Sequence, residues 1–408
     1  MTIARREIEW LFVFVYFFVN SLFLPHGLLY TSLLFPFFWW YLHSNGSKRT
    51  GLLFGLFLLP YFAIHTNQAI DYGDYLQSSI LFFSVYLFTL ATYKFIQKSN
   101  NLEWLYRKVV ESNLLLLGFG IIILTIPPLW SLTWSTEPIS PGVPIFPRFR
   151  GFTYEPSYYS LLFAPFVIYY YLKCFFQGAQ HWWKTLLAVT IPLVLSLSFG
   201  VIALVFGSIV LISFMYSRAF WKSSRFRNLV KLSGVLLLLA LFVGIVVFPD
   251  NPVSLRIANI FSGQDSSFQG RTSDSFELAY LIAKEKNMWF GVGLGQVKIV
   301  GHEIIVNYYN YTDADNWTVR LPNAVADTLA TFGLTGVILR FMLILYLAVK
   351  TKVYNNIYRM NLFIFAFAYQ FTGSFIFNIV EYVMWALAFS PVFNQYDLKS
   401  LRKSSSES

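Results

Sequence analysis

The densest run of chemistry-bearing side chains is Arg148-Phe149-Arg150-Gly151-Phe152-Thr153-Tyr154-Glu155-Pro156-Ser157, which leads directly into an apolar stretch. Guanidinium groups suit phosphate, because the planar fork donates two parallel hydrogen bonds and keeps its charge. Gly151 lets the main chain come close to a ligand. Pro156 fits the first turn of a helix, whose free N–H groups also favour an anion. Residue type alone leaves a second reading open, in which the two arginines are interfacial anchors and Glu155 a helix-start charge. Arg271 offers a third guanidinium, with an ion pair to Asp274 as its plainer use. Group transfer onto a hydroxyl also needs a base. Glu155, Asp327 in the first turn of a later helix, and His302 in a long loop can fill that role. Asp327 is equally a helix-start acid, and His302 reads more simply as a surface histidine.

Other polar features are less specific. Gly291, Gly293 and Gly295 lack the third spacing and the βαβ setting of a nucleotide loop, and read as a glycine-lined turn at a membrane entrance. The aromatic run from Tyr308 to Trp317 suits sugar stacking and loop packing equally. Arg340 and Glu381 fall inside apolar runs and read as a structural ion pair. The acids show no divalent-cation spacing. A single cysteine, Cys174, excludes an internal disulfide and a cysteine-built metal site. Neither a metal nor a cofactor is expected.

The elements that must position these residues follow from composition. Of 408 residues, 56% are apolar, 20% aromatic and 12% charged, outside the range of soluble domains. Apolar runs of about 15 to 25 residues match bilayer-crossing helices. The expected fold is all-α, a polytopic integral membrane protein with about twelve transmembrane helices. The runs lie near 8–24, 28–42, 51–64, 76–96, 112–128, 154–173, 185–199, 200–217, 232–248, 325–349, 359–374 and 378–392. The unbroken run 185–217 divides at Ser198-Phe199-Gly200 as a tight hairpin. Residues 1–248 thus hold nine spans with a short periplasmic loop at 129–153. Residues 249–324 form one long periplasmic loop, and 325–408 hold three spans and a cytoplasmic tail.

Within the long loop, Asp274 and Glu277 are an N-cap and N3 pair, with Phe276, Ala279, Tyr280 and Ala283 at helical spacing. This predicts an amphipathic helix over the membrane surface. The net charge is +10, but most Lys and Arg fall in segments on one side, which puts both termini in the cytoplasm. Met1–Arg6 and the apolar stretch after it lack a small-residue cleavage site, so they read as an uncleaved first span. The long loop is nearly neutral, and no nucleic-acid partner is expected.

Four stretches, in order, resemble the bacterial O-antigen polymerase and O-antigen ligase superfamily. They are Arg148-x-x-Gly151 running into Glu155-Pro156-Ser157; Leu195-Ser196-Leu197-Ser198-Phe199-Gly200; Gly270-Arg271 with a helix ending at Trp289 to Gly295; and Leu321-Pro322-Asn323 followed by Ala330 to Gly336. The resemblance covers about 112–349, and the plan of spans agrees. It implies a membrane glycosyltransferase that polymerises undecaprenyl-diphosphate-linked oligosaccharide repeat units at the periplasmic face of the bacterial inner membrane. It further implies that Arg148, Arg150 and Arg271 grip the donor diphosphate. Gly151, His302 and Asn323 would line the substrate site, Glu155 would assist the acceptor, and a chain-length regulator and a flippase would be partners. The ligase branch has His-Asn where this chain has Pro322-Asn323, which turns the implication toward a polymerase. The alternatives are glycan transfer to lipid A core and transport of a lipid-linked sugar. A transporter collects polar groups near the midplane, whereas here they gather at one rim.

Overall fold

The computed structural model describes residues 14–19, 30–47, 49–99, 101–137, 145–177, 181–217, 221, 227–228, 252–310 and 319–404. The expected span 232–248, most of 8–24, most of the basic segment 218–231, the aromatics 311–317 and residues 405–408 lie outside them. The chain is mostly helical. After a π-helical turn at Phe14–Val19 come α1 (Tyr30–Leu33), α2 (Phe35–Ser44), α3 (Thr50–His65), α4 (Tyr72–Lys98) and α5 (Leu102–Ile123). A two-stranded ribbon, β1 (Trp134–Ser135) and β2 (Arg148–Phe149), precedes α6 (Pro156–Phe176), α7 (Trp182–Leu195) and α8 (Phe199–Met215). Then follow α9 (Pro252–Phe261), α10 (Ser266–Arg271), α11 (Ser273–Lys286) and α12 (Val297–Tyr309). The last helices are α13 (Ala324–Lys350), α14 (Ile357–Tyr369), α15 (Ile379–Phe389) and α16 (Leu398–Ser404).

The apolar pattern of α6 runs round the whole helix, and burial follows it: Leu161, Leu162, Phe163, Val167, Ile168 and Leu172 are all fully enclosed. A helix apolar on every side needs neighbours on every side, and α7, α8, α14 and α15 pack around it. The opposite holds for α3 and α13. Leu52, Leu56, Leu59, Met342, Leu343 and Val349 all stand outward and exposed, an arrangement that water penalises and a hydrocarbon layer rewards. Among the described residues, four helices are long and apolar enough to cross a membrane: Thr50–Gln68, Tyr72–Lys98, Pro156–Phe176 and Ala324–Lys350. Four more, α7, α8, α14 and α15, are apolar but shorter.

Boundaries depart from the apolar runs where charge sits on one face only. The run at 112–128 becomes α5, which begins ten residues earlier, because Leu102, Leu105, Tyr106, Val109 and Val110 bury one side while Glu103, Arg107, Lys108 and Glu111 occupy the other. The hairpin turns at Ser196-Leu197-Ser198, with Leu197 at φ +48°. Its two arms run in opposite directions. The Cys174 thiol near the end of α6 donates to Trp182 O at the start of α7, and Ser160 near the start of α6 donates to Ser196 after α7. Just past α8, the Tyr216 hydroxyl donates to Tyr354 O, beside the start of α14.

Residues 252–310 fold as helices that share a second core with the start of α13, in which Leu278, Ala279 and Ile282 meet Val292, Ile305, Ala326 and Ala330. Two expectations are corrected here. The cap position of α11 is Thr272 rather than Asp274, which sits in the first turn. The buried face is Leu278, Ala279, Ile282 and Ala283, and Tyr280 points outward. That face is taken up by α12 and α13, so this apolar stripe covers protein rather than lying on lipid.

One junction determines the shape of this region. Inside α13, Gly333 adopts φ +66° and ψ −166°, a conformation open essentially to glycine alone. The break frees main-chain groups that the segment 288–293 takes up. Val292 N–H donates to Ala330 O and Gly293 N–H to Thr331 O, while Leu334 N–H and Thr335 N–H donate to Met288 O and Trp289 O. Gly291 and Gly295 are needed because a Cβ at either would come within 2.5 Å of the main chain of Thr331 or Asp74. The His65 ring bonds Phe290 O through Nε2 (2.8 Å), and Gln296 exchanges two hydrogen bonds with Asp71. The glycine-lined turn is therefore a docking loop between α13 and the α3–α4 corner.

Candidate functional site

The site is assembled at the end of the bundle where α6 and α13 begin. Its first part is the ribbon, paired Trp134↔Phe149 and Ser135↔Arg148. Alternation along a strand puts neighbouring side chains on opposite faces. Phe149 is fully buried against Tyr159, and the Trp134 indole donates to Gly120 O at 2.8 Å. The ribbon is thus pinned to the end of α5, and Arg148 is left on its other face. Gly151 turns the chain at φ +55°, with the place of its missing Cβ 3.1 Å from Leu116 Cδ2. Glu155 then stands in extended backbone at the cap position of α6.

Arg271, the last residue of α10, comes from more than a hundred residues away. Asp265 caps α10 by accepting from Phe268 N–H at 2.8 Å. The same carboxylate pairs with Arg256 Nε at 3.1 Å, and the Arg256 guanidinium lies 5.2 Å over the Phe199 ring at the start of α8. This holds α9 and α10 down onto the α7–α8 hairpin, and Arg271 arrives beside Glu155.

The charges of Arg271 and Arg148 both act on Glu155, and Arg148 also feels Arg256 and Arg271. Arg320 joins the same field through Tyr154. Burial pushes the Glu155 carboxyl above its ordinary range, and this outweighs the two arginines, which pull it down. Burial likewise lowers Arg148 and Arg256. Among the described residues, neither Arg148 nor Arg271 has an ion pair or a side-chain hydrogen-bond acceptor, and the Arg148 Nε is buried without one. The Arg271–Asp274 pair does not form, since Asp274 accepts from the Tyr309 hydroxyl at 3.0 Å instead. The arrangement holds more positive charge than its own carboxylates neutralise, with donors free for an anion.

The remaining sequence candidates fall in different places. Arg150 is in the same loop but is used as a strut: its guanidinium donates to Tyr154 O at 3.0 Å and to Ser131 O, and its own N–H donates to Thr133 O. Asn323 is fully buried, and its carboxamide bonds Arg271 O, Phe371 O and two N–H groups of α13. His302 is half-buried on α12, seven residues and about 10 Å of helix before Tyr309, and is not among the groups whose charge acts on Glu155. Asp327 accepts from Ile376 N–H at 3.0 Å. Arg340 and Glu381 form the expected ion pair at 2.5 Å, completed by Gln370, Ser374 and Trp385. Arg256, Arg320 and Asp265 are the site residues that sequence reasoning passed over. Arg320 directly precedes Leu321-Pro322-Asn323, which was a usable signal; Arg256 had none, because its place depends on Asp265 and Phe199 in space.

No protein-family model matches this chain, and no curated protein does.

Proposed function

We propose that this protein is an integral-membrane glycosyltransferase that joins lipid-diphosphate-linked oligosaccharide units, as the resemblance to O-antigen polymerases implies. The observation that carries the reading is the convergence of Arg148 and Arg271, both without acceptors of their own among the described residues, on the half-buried carboxyl of Glu155. A diphosphate leaving group needs about two negative charges met at the bond that breaks, and fixed guanidiniums supply this without reorganisation. In the proposed step the acceptor sugar hydroxyl attacks the anomeric carbon of the donor. The bond to the diphosphate oxygen breaks, its electron pair leaves with the diphosphate between Arg148 and Arg271, and the hydroxyl proton passes to Glu155. Direct displacement inverts the anomeric centre. A carboxyl raised by burial is better matched to that proton transfer than an ordinary one.

The twelve-span plan, the bacterial inner membrane, the periplasmic face, and a chain-length regulator and flippase as partners belong to the same proposal. The path of the chain supports the count. Helices α2 to α8 alternate in direction, and the chain is at the opposite end at Tyr216 yet back at the site end at Arg256. One of the spans expected from the sequence, 232–248, falls between these two positions. The test uses purified protein in lipid with a synthetic lipid-linked repeat unit. Arg148→Ala and Arg271→Ala should each remain folded and leave the substrate as single repeats, where the unaltered chain gives a ladder. Ladders of normal length from both variants would end the proposal.

A further inference from the structure

We infer that Asn323 is a positioning residue for Arg271, and not a group that meets substrate. Its side chain makes every hydrogen bond a carboxamide in this place has to make. Oδ1 accepts from Val325 N–H (3.1 Å) and Ala326 N–H (3.0 Å), which caps α13. Nδ2 donates to Arg271 O (3.0 Å) and Phe371 O (2.6 Å). Ser, Thr or Asp would cap the helix as well, but none of them also carries two donors on a planar group. The asparagine is therefore explained by its second half. Arg271 ends a six-residue helix, so its carbonyl is one of the orphans such a terminus leaves, and Asn323 is what satisfies it.

The anchor on the other side is firm. Phe371 lies in the turn after α14, where Gln370 O accepts from Ala324 N–H and Val325 N–H. Gln370 Oε1 in turn accepts from Arg340 Nε at 2.9 Å, and Arg340 pairs with Glu381. A line of bonds thus runs from the membrane-buried ion pair through Asn323 to the main chain of Arg271. It fixes where α10 ends, and with it where the Arg271 guanidinium starts.

The inference rests on the diphosphate reading for its ligand, and the experiment separates the two. Asn323→Ser keeps an oxygen for the cap and removes both Nδ2 N–H donors, leaving one hydroxyl proton where two carbonyls were met. Asn356→Ser is the control, since Asn356 is a buried cap of the same kind, accepting from Arg359 N–H and donating to Phe393 O, at the far end of the bundle. Full-length protein in nanodiscs is followed by hydrogen exchange and by binding of inorganic pyrophosphate. In Asn323→Ser, amides in 266–272 should exchange about tenfold faster, while those in 324–332 hold. Pyrophosphate affinity should fall about tenfold, as expected when a buried carbonyl loses its donor and the group it carries is released. In an Arg271→Ala background the same change should cost less than about twofold, since the two act through one interaction. Asn356→Ser should lower the melting temperature and leave affinity alone. Unaltered exchange in 266–272, or faster exchange with unaltered affinity, would overturn the inference. Should the unaltered protein fail to bind pyrophosphate, the diphosphate reading falls, and the exchange of 266–272 in Asn323→Ser still decides whether Asn323 holds Arg271.

Discussion

Glu155 is pulled in two directions, upward by burial and downward by Arg271 and Arg148, and burial wins. A folded-state pKa above the unfolded value means that the ionised carboxylate opposes folding, so this group's contribution is fully present below the ordinary carboxyl range and is lost as pH rises from there through the raised folded value. Glu155→Gln should therefore melt no lower than the unaltered chain at pH 8, and a melting series in detergent from pH 4 to 8 checks this. The acid limb of the rate should lie above the ordinary Glu value of about 4.3. Removing a positive charge with Arg148→Ala or Arg271→Ala should raise the titration of the Glu155 carboxyl itself higher still, read by carboxyl-labelled NMR because these variants are expected to leave single repeats, and a shift to lower pH would contradict the placement of these arginines. Arg150 makes a contrast. Its bonds are to carbonyls of its own loop, so Arg150→Ala should cost about 1–3 kcal/mol of stability. Arg150→Lys should fail to restore it, because a single ammonium cannot span both carbonyls. That outcome would be read by melting temperature, with pyrophosphate binding as the comparison. Residue type and spacing were enough to single out Arg148, Glu155 and Arg271, since few other polar groups crowd a membrane boundary. They could not separate Arg148 from Arg150, because Arg150 lies just past β2 and its guanidinium is taken up by the carbonyls of Ser131 and Tyr154, which only the folded loop brings within reach.

At the scale of elements, α13 is two helices with a glycine joint. A Cβ on Gly333 would lie 2.3 Å from the Trp289 carbonyl carbon, in a conformation that L residues rarely reach. Gly333→Ala should therefore cost about 3 kcal/mol or more, whereas Gly207→Ala on α8, with nothing within 4 Å, should change stability by less than about 1 kcal/mol. Melting of both variants in the same detergent decides it, and equal melting would remove the joint from consideration. The sequence showed Gly291, Gly293, Gly295 and Gly333 plainly, but not that the first three serve the fourth. Local patterns report what one segment can do, and this arrangement is a property of two segments forty residues apart. The same reason hid the helices α9, α10 and α12, whose short faces become meaningful only against distant partners, α9 and α10 against the α7–α8 hairpin and α12 against α11.

For the whole molecule, a reporter after Arg227 and one inserted near Asp265 should face opposite sides of the membrane, since Tyr216 and Arg256 lie at opposite ends of the bundle. Matching accessibility at both positions would break the alternation of helices. Composition made the membrane setting legible, because 56% apolar lies above the roughly 45–50% usual for soluble domains and is laid out in long runs. The lengths were not legible: apolar runs mark where a chain avoids water, and burial between helices such as α6 avoids it as well as lipid does.

The splice at Gly333 also bears on how the molecule is made. A transmembrane helix normally satisfies its own main chain before it meets a neighbour, but α13 does not. Ala330 and Thr331 carbonyls and the N–H groups of Leu334 and Thr335 depend on residues 288–293. Those residues are synthesised first and have to be at the membrane face when α13 arrives. The order of residues along the chain thus provides a template, and a permuted protein that delivered α13 before the docking loop would insert a helix with an open seam.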